Sequence, residues 1–543
     1  MAYDPPKYNR VMRRRFRRFV KRWLLKNITP FDPTETFDFE EWLSTTNYPE
    51  WRKEQIRKAR RDGPFLDGEV DHPKDSDYLI KLFTKEEYYP EYKHHRGIWA
   101  REDAAKAVMG PFFHKVEKVL FKLPYFIKKI PKHERPEYID NFMNEIRLSY
   151  HTSDYTSFES HFTTDMMNDC EFELYRHISK NNVWAQRYCR LIFKIIASTN
   201  TVVNKYFTIM VDAKRQSGEM NTSLGNGFSN LMFLLFACHY YNIDYSGPII
   251  EGDDAAMGKN KEIPQDYYTS MGLNVKLLSV DDISEASFCG LVYDPQELVN
   301  IRDPRETLAT LPWVTKKYAF CSKNKYFSLL RSKALSLIYE YPGCPIVYNY
   351  GKKIFDLLHE HEVLLVAEDS YKTNLLKKAF NSYVENKLPY KSTGPRTRLL
   401  MEKVFDIPIS VQISIEKEIE NMTIDNFNIP TALSIMPACW INNYNNYVIK
   451  NQYSNQHTLN YPMFLIPEKL RVDKIIKLNK GKLLSNSELT EREFYSCRIN
   501  KDPKLYKLYL WRRKKMKKLL KKNLQLIEQR AVENFIFDGD THA

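Results

Sequence analysis

No pair of the eight cysteines forms a C-x-x-C, and no histidine stands at the spacing a zinc site needs. Cys170, Cys189, Cys238, Cys289, Cys321, Cys344, Cys439 and Cys497 are instead scattered along the 543 residues, which points to reduced thiols in a cytosolic compartment. Also missing is any apolar run near the ~20 residues of a spanning helix. The strongest one, Leu231 to Cys238, is too short, so no membrane span is expected. The basic RRRFRR at 13–18 is not followed by the apolar segment that would complete a signal peptide, and the N-terminus is expected to stay uncleaved. No internal repeat occurs between about 92 and 300. What is abundant is positive charge: 82 basic residues against 68 acidic ones give a net +14, which suits a polyanionic partner or an anionic membrane surface. A hydrophobic content of 43% over this length is enough for a large core divided among several subdomains.

The pattern changes along the chain. VMRRRFRRFVKRWLLK places Met12, Phe16, Phe19, Val20, Trp23 and Leu24 at helical spacing among arginines and lysines, a basic amphipathic helix. DGPFLDGEVDHPKD at 62–75 reads as a break between an N-terminal extension and the body. Short strands and helices mix up to about 300. Beyond about 310 the pattern is mostly helical, as in SLLRSKALSLIYEY (328–341), closed by PGCP at 342–345, and NLLKKAFNSYVENKL (374–388). INNYNNYVIKNQYSNQ (441–456) has the composition of a surface linker. A second basic amphipathic helix follows at 505–527, with Leu505, Leu508, Met516, Leu519, Leu520, Leu524 and Ile527 on one face. The two basic ends are expected to attach the protein to membranes or RNA, or else to pack their apolar faces on the body.

Three segments carry chemistry. SGPIIEGDDAAMGKN (246–260) reads as strand, tight turn at Gly252-Asp253-Asp254, and strand, so two repelling carboxylates sit where a divalent cation would neutralise them. Alone, it also reads as an ordinary surface turn. In YHTSDYTSFESHF (150–162), Asp154 offers a second strand's carboxylate and Glu159 follows five positions later; a capped helix start is the alternative. SGEMNTSLGNGFSNLMFLLFACHYY (217–241) is a small-residue loop entering a helix with Leu224, Phe228, Leu231, Leu235 and Cys238 on its buried stripe. Gly218, Thr222 and Asn226 are spaced by four, which puts Thr222 and Asn226 on neighbouring turns where polar groups can read a sugar hydroxyl.

In this order and at these separations the three segments resemble the palm of viral RNA-directed RNA polymerases of positive-strand RNA viruses, with wording close to tombusvirus-like, nodavirus-like and related invertebrate virus enzymes. Asp154 with Glu159 resembles motif A, Ser217-Gly218 with Thr222 and Asn226 motif B, and EGDD at 251–254 motif C. YKHHRGIWAREDAAKAVMGPFF (92–113) looks like motif F, where Arg96, with Lys93 and Arg101 near it, would meet the incoming triphosphate through guanidinium and ammonium groups. MGLNVKLLS (271–279) resembles motif D, Lys276 standing for the proposed general acid; SFCGLVYD (287–294) resembles motif E. Glu159 departs from the more usual Asp by one methylene.

The resemblance implies an α+β right-hand polymerase fold with fingers, an antiparallel-sheet palm and a thumb. Its divisions would be an N-terminal extension to 62, fingers 63–147, palm 148–164, fingers 165–214, palm 215–300, thumb 301–440, and a C-terminal linker with basic helical tail 441–543. It implies two Mg²⁺ or Mn²⁺ ions at Asp154, Asp253 and Asp254, ribose contacts from Glu159, Ser217, Gly218, Thr222 and Asn226, and template RNA, nascent RNA and ribonucleoside triphosphates as partners. The expected place of work is the host cytoplasm, peripheral on intracellular membranes, with a host membrane surface as a further partner. A non-catalytic RNA-binding replication scaffold and a reverse transcriptase are the alternative readings. Three carboxylates around a phosphate-binding site argue against the scaffold, and Thr222 with Asn226 against the transcriptase.

Overall fold

The Asn9 side chain accepts hydrogen bonds from the backbone N–H groups of Val11 and Met12, satisfying two donors that a helix start leaves open. From this cap, helix α1 (Arg10–Asn27) presents Met12, Phe16, Val20 and Leu24 at steps of four, all buried. Phe16 lies 5.4 Å, centroid to centroid, from both Phe233 and Phe236. Helices α2 (Phe39–Thr45) and α3 (Glu50–Asp62) follow, and their Phe39, Trp42, Leu43 and Ile56 close an apolar cluster with Ala107. Of the two fates expected for the apolar side of the N-terminal basic helix, the structure shows packing on the body: Met12, Phe16, Val20 and Leu24 lie in the main core cluster.

This computed structural model describes residues 4–62, 78–85, 96–143, 149–286, 288–312, 318, 321–365, 370–424 and 429–437. The expected boundary loop at 62–75 (past Asp62), Lys93, the linker at 441–456 and the basic helix at 505–527 lie outside the described residues.

Next in the chain come strands β1 (Leu79–Thr84) and β2 (Gly97–Arg101), helices α4 (Asp103–Leu120) and α5 (Arg135–Met143), and strand β3 (Ser149–Tyr155). Helices α6 (Thr164–Asp169), α7 (Glu171–Ser179) and α8 (Val183–Ile196) lead to strands β4 (Thr199–Val203) and β5 (Thr208–Asp212). A four-stranded sheet runs β2-β1-β4-β5, with β1 and β4 parallel and the other pairs antiparallel. It joins residues before and after β3, so the chain leaves this layer and returns to it.

Helix α9 (Thr222–Tyr241) is the structural axis. The sequence predicts a single buried stripe on it, but every residue from Leu224 to Cys238 is buried. The reason is that strands β6 (Tyr245–Glu251) and β7 (Asp254–Lys259) cover one side while α1, α4 and α7 cover others. After α10 (Gln265–Ser270), strand β8 (Val275–Val280) completes a second sheet, β6-β7-β3-β8, antiparallel throughout. Short strands β9 (Val292–Tyr293) and β10 (Asn300–Ile301) pair antiparallel. The described residues beyond these are mostly helical, as expected: α11 (Pro304–Thr310), α12 (Lys323–Glu340), α13 (Val347–Leu357), α14 (Ser370–Val384), α15 (Pro395–Phe405) and α16 (Ile409–Glu420). The chain is thus a mixed α+β protein. Among the described residues, no helix is long and apolar enough to cross a membrane.

Candidate active site

Three side chains at steps of four on α9 each hold a different piece of the site. Thr222 Oγ1 lies 2.6 Å from the Gln216 carbonyl and 3.0 Å from that of Glu219, closing the loop ahead of the helix. One turn on, Asn226 Nδ2 donates to Glu159 Oε1 at 3.4 Å. One turn further, Asn230 Nδ2 donates to the backbone carbonyls of Asp253 at 2.8 Å and Gly252 at 3.3 Å, and its Oδ1 accepts from the Tyr155 hydroxyl at 3.2 Å. A spacing of four keeps all three on one side of the helix. The loop, the segment after β3 and the β6–β7 turn are therefore aligned by a single rigid element.

The loop is also pinned from the opposite side. Gly218 N donates to the Trp99 carbonyl of β2 at 2.9 Å, and Ser217 Oγ accepts from Trp99 N at 3.2 Å. A Cβ on residue 218 would stand 2.9 Å from that same carbonyl, so only glycine permits the approach.

The carboxylates meet at the ends of the antiparallel strands. Ser153 pairs with Ala255 and Asp154 with Lys276, and one step along the same register Asp154 stands beside Asp254. Glu251 pairs with Asp254 across a two-residue turn whose Gly252 has φ +68°, a conformation glycine adopts without strain. Asp253 is exposed at the tip, yet surrounding protein strips enough water from its carboxyl to be the main cause of a pKa pushed up to about 6; Asp254, Glu159 and Asp154 add repulsion. Asp254 is raised as well, chiefly by burial, while the Cys289 thiol donating to its Oδ2 at 3.2 Å works the other way. Among the described residues no cation pairs with Asp154, Asp253 or Asp254, although Glu251 just before them is paired with Arg135 at 2.6 Å. Nor, among the described residues, do three acidic, histidine or cysteine side chains close into a finished cage. Uncompensated carboxylate oxygens on adjacent strand ends are the donor chemistry that hard divalent cations take.

A family profile described as viral RNA-dependent RNA polymerase matches residues 119–426, more than half of the chain. The chain belongs to that family. No curated protein matches it. The polymerase therefore builds RNA on an RNA template from nucleotides, and enzymes of this kind work with divalent metal ions. Neither the scaffold nor the reverse transcriptase reading has an observation in its favour. The matched span includes Asp154, Glu159, Ser217, Gly218, Thr222, Asn226, Asp253, Asp254 and Lys276, but α1 and the motif F resemblance precede it.

In the polymerase, the basic residues expected at the triphosphate separate. Arg96 is exposed at the head of β2, and Lys93 lies outside the described residues. Arg101 is a correction: its Nε donates to Glu219 Oε2 at 2.8 Å and its Nη1 to Asn200 Oδ1 at 2.8 Å, with both charged side chains fully withdrawn from solvent. It fastens β2 to the loop and offers no free guanidinium to a phosphate. Thr222 is a partial correction, since its hydroxyl proton is spent on loop closure and only acceptor capacity remains. Lys276 is exposed on β8, in register with Asp154. Sequence reasoning missed Asn230 and Arg135. Asn230 had a signal, being one more step of four beyond Asn226; Arg135 had none, as its partner Glu251 lies more than a hundred residues away.

The raised pKa of Asp253 has a testable sign. An acid with a higher pKa folded than unfolded binds its proton more tightly in the folded state, so the deprotonated tip costs stability as pH climbs from near the ordinary 3.8 through about 6. With chelator present, Asp253→Asn is expected to raise Tm above wild type at about pH 8, and the gain is expected to shrink at about pH 5. Equal gains at both pH values would show that the crowding of charge is absent.

Proposed function

We propose that the β3–β7 edge is the catalytic centre of a right hand in which the sheet β6-β7-β3-β8 is the palm, the sheet β2-β1-β4-β5 with its helices belongs to the fingers, and α11–α16 are the thumb. The fingers at 63–147 and 165–214 and the palm at 148–164 and 215–300 interleave in this reading, which the exit and return of the chain around β3 supports.

Asp154, Asp253 and Asp254 would hold two Mg²⁺ or Mn²⁺ ions, which when bound activate the primer 3′-hydroxyl and stabilise the leaving pyrophosphate. The chain's own groups do the rest. Arg96 and Lys93 meet the triphosphate and orient it. Lys276, a neighbour of Asp154 across the sheet, is placed to give a proton to the departing pyrophosphate. Ser217 and Gly218, held against β2, form the floor under the nucleotide. Attachment to intracellular membranes in the host cytoplasm is part of the same proposal and would rest on the basic tail at 505–527.

One observation carries the choice of ribonucleotide. The Asn226 amide is turned toward Glu159, while its Oδ1 is buried and, among the described residues, has no hydrogen-bond partner. A buried acceptor left open costs about 1–3 kcal/mol unless a donor arrives, and the ribose 2′-hydroxyl is such a donor. Asn226→Asp keeps an acceptor oxygen but removes the amide that holds the side chain to Glu159 and sets a second charge against it, so the acceptor is no longer held in place for the 2′-hydroxyl. Measured as kcat/KM for ATP and dATP in single-nucleotide addition, the ribo-over-deoxy preference is expected to fall by roughly tenfold or more. An unchanged ratio would make Asn226 a helix residue with no part in sugar choice.

A further inference from the structure

Five of the arginines of α1 divide into two sets with different fates. Arg13 and Arg17 turn toward α6 and α7, where Arg13 bonds Asp169 at 2.8 Å and Arg17 bonds Glu173 at 2.6 Å. Arg15, Arg18 and Arg22 face away, and among the described residues no carboxylate pairs with any of them. With Lys21 they line a cleft of about 1000 Å³. Its other wall is the C-terminal end of α9: Phe236, His239 and Tyr240. The two walls are held together, since Arg15 Nη1 donates to the Tyr240 hydroxyl at 3.1 Å and Phe19 stacks on His239 at 5.3 Å. His239 lies thirteen residues beyond Asn226 on one helix, roughly 20 Å at 1.5 Å per residue, so the cleft is separate from the catalytic edge.

We propose that this cleft is a second RNA-binding site, which holds the phosphodiester backbone of a single strand outside the catalytic centre. Guanidinium forks match phosphate oxygens, and a concave row of cations with aromatic side chains beside it is the chemistry by which single-stranded nucleic acid is held without regard to sequence. A lipid surface fits less well. The apolar face that would enter a bilayer, Met12, Phe16, Val20 and Leu24, is already consumed by the core, which leaves α1 only the exposed Val11 and Leu25, near its two ends, to insert. The proposal rests on the chain handling RNA, which family membership establishes, and not on the assignment of Asp154 or Asp253.

The test uses the full chain and a single-stranded oligouridylate, with affinity measured by fluorescence anisotropy across a salt series. Each phosphate neutralised on a single strand contributes about 0.7 to the slope of log K against log salt. Arg15→Gln/Arg18→Gln/Arg22→Gln is therefore expected to make the slope shallower by about 2, while the rate of single-nucleotide addition on a preformed primer–template stays at the wild-type value. Arg18→Gln/Arg22→Gln leaves the Arg15–Tyr240 bond in place and is expected to lose about 1.4, so the result does not depend on that packing. Lysine at all three positions should keep the slope. An unchanged slope in the double variant overturns the proposal. So does an unchanged slope accompanied by lost binding to phosphatidylserine vesicles, which would make the cleft a lipid site. A wild-type chain that binds RNA with the expected slope but adds no nucleotide would count against the catalytic reading alone.

Discussion

Asp253→Ala, and equally Asp154→Ala, is expected to slow single-nucleotide addition by at least about 10³-fold while RNA affinity stays within a few-fold of wild type. Stabilising the transition state of phosphoryl transfer through bound ions is worth several kcal/mol, and each 1.36 kcal/mol is tenfold in rate. RNA affinity comes instead from lysine and arginine meeting phosphates, and the chain carries 82 of them. The variant should keep the shape of the tip, because Asn230 grips the backbone carbonyls of Gly252 and Asp253 and not the carboxylate. Single-turnover extension of a labelled primer, with anisotropy on the same RNA, measures both quantities. Turnover within tenfold of wild type in either variant would reject the catalytic assignment.

Arg101→Met should be the most destabilising of the changes considered. Removing one member of a buried ion pair leaves the other charge uncompensated, at a cost of about 3–5 kcal/mol. Here the abandoned group is the Glu219 carboxylate, fully withdrawn from solvent, with Asn200 losing its bond as well. The urea midpoint should fall well below wild type, and activity should fall with it as the loop carrying Ser217 and Gly218 loosens from β2. If the midpoint is unchanged and only the KM for nucleotide rises, Arg101 is a phosphate ligand after all and its burial in the resting chain is not its working state.

Arg101 illustrates where reading along the chain stops. A basic residue in a basic segment, five positions after Arg96, has no local mark separating the buried arginine from the exposed one. What separates them is the register of β2 against β1: Arg101 pairs with Ile80, an inward residue, and so its side chain meets Glu219. The α1 helix makes the same point. Its apolar period predicts a helix with one hydrophobic side, which is correct, but an amphipathic helix can spend that side on a membrane or on its own protein. Residues far along the chain, Phe233 and Phe236 among them at more than two hundred positions away, decide for the core.

By itself the sequence determined the local form of the segments that make up the candidate site, because turns and helices of this kind are properties of short segments. The GDD turn needs glycine at its left-handed position, the spacing of four sets Thr222 and Asn226 on one side of a helix, and the mostly helical pattern beyond about 310 follows from local periodicity. Tertiary structure alone decided what those groups face. Strand register put Lys276 and Asp254 on either side of Asp154, Arg135 was brought to Glu251, and Asn230 became the clamp on the turn. Pairings of this kind join residues about twenty to over a hundred positions apart, and they depend on which faces of the helices and strands are left to be buried once the core has closed.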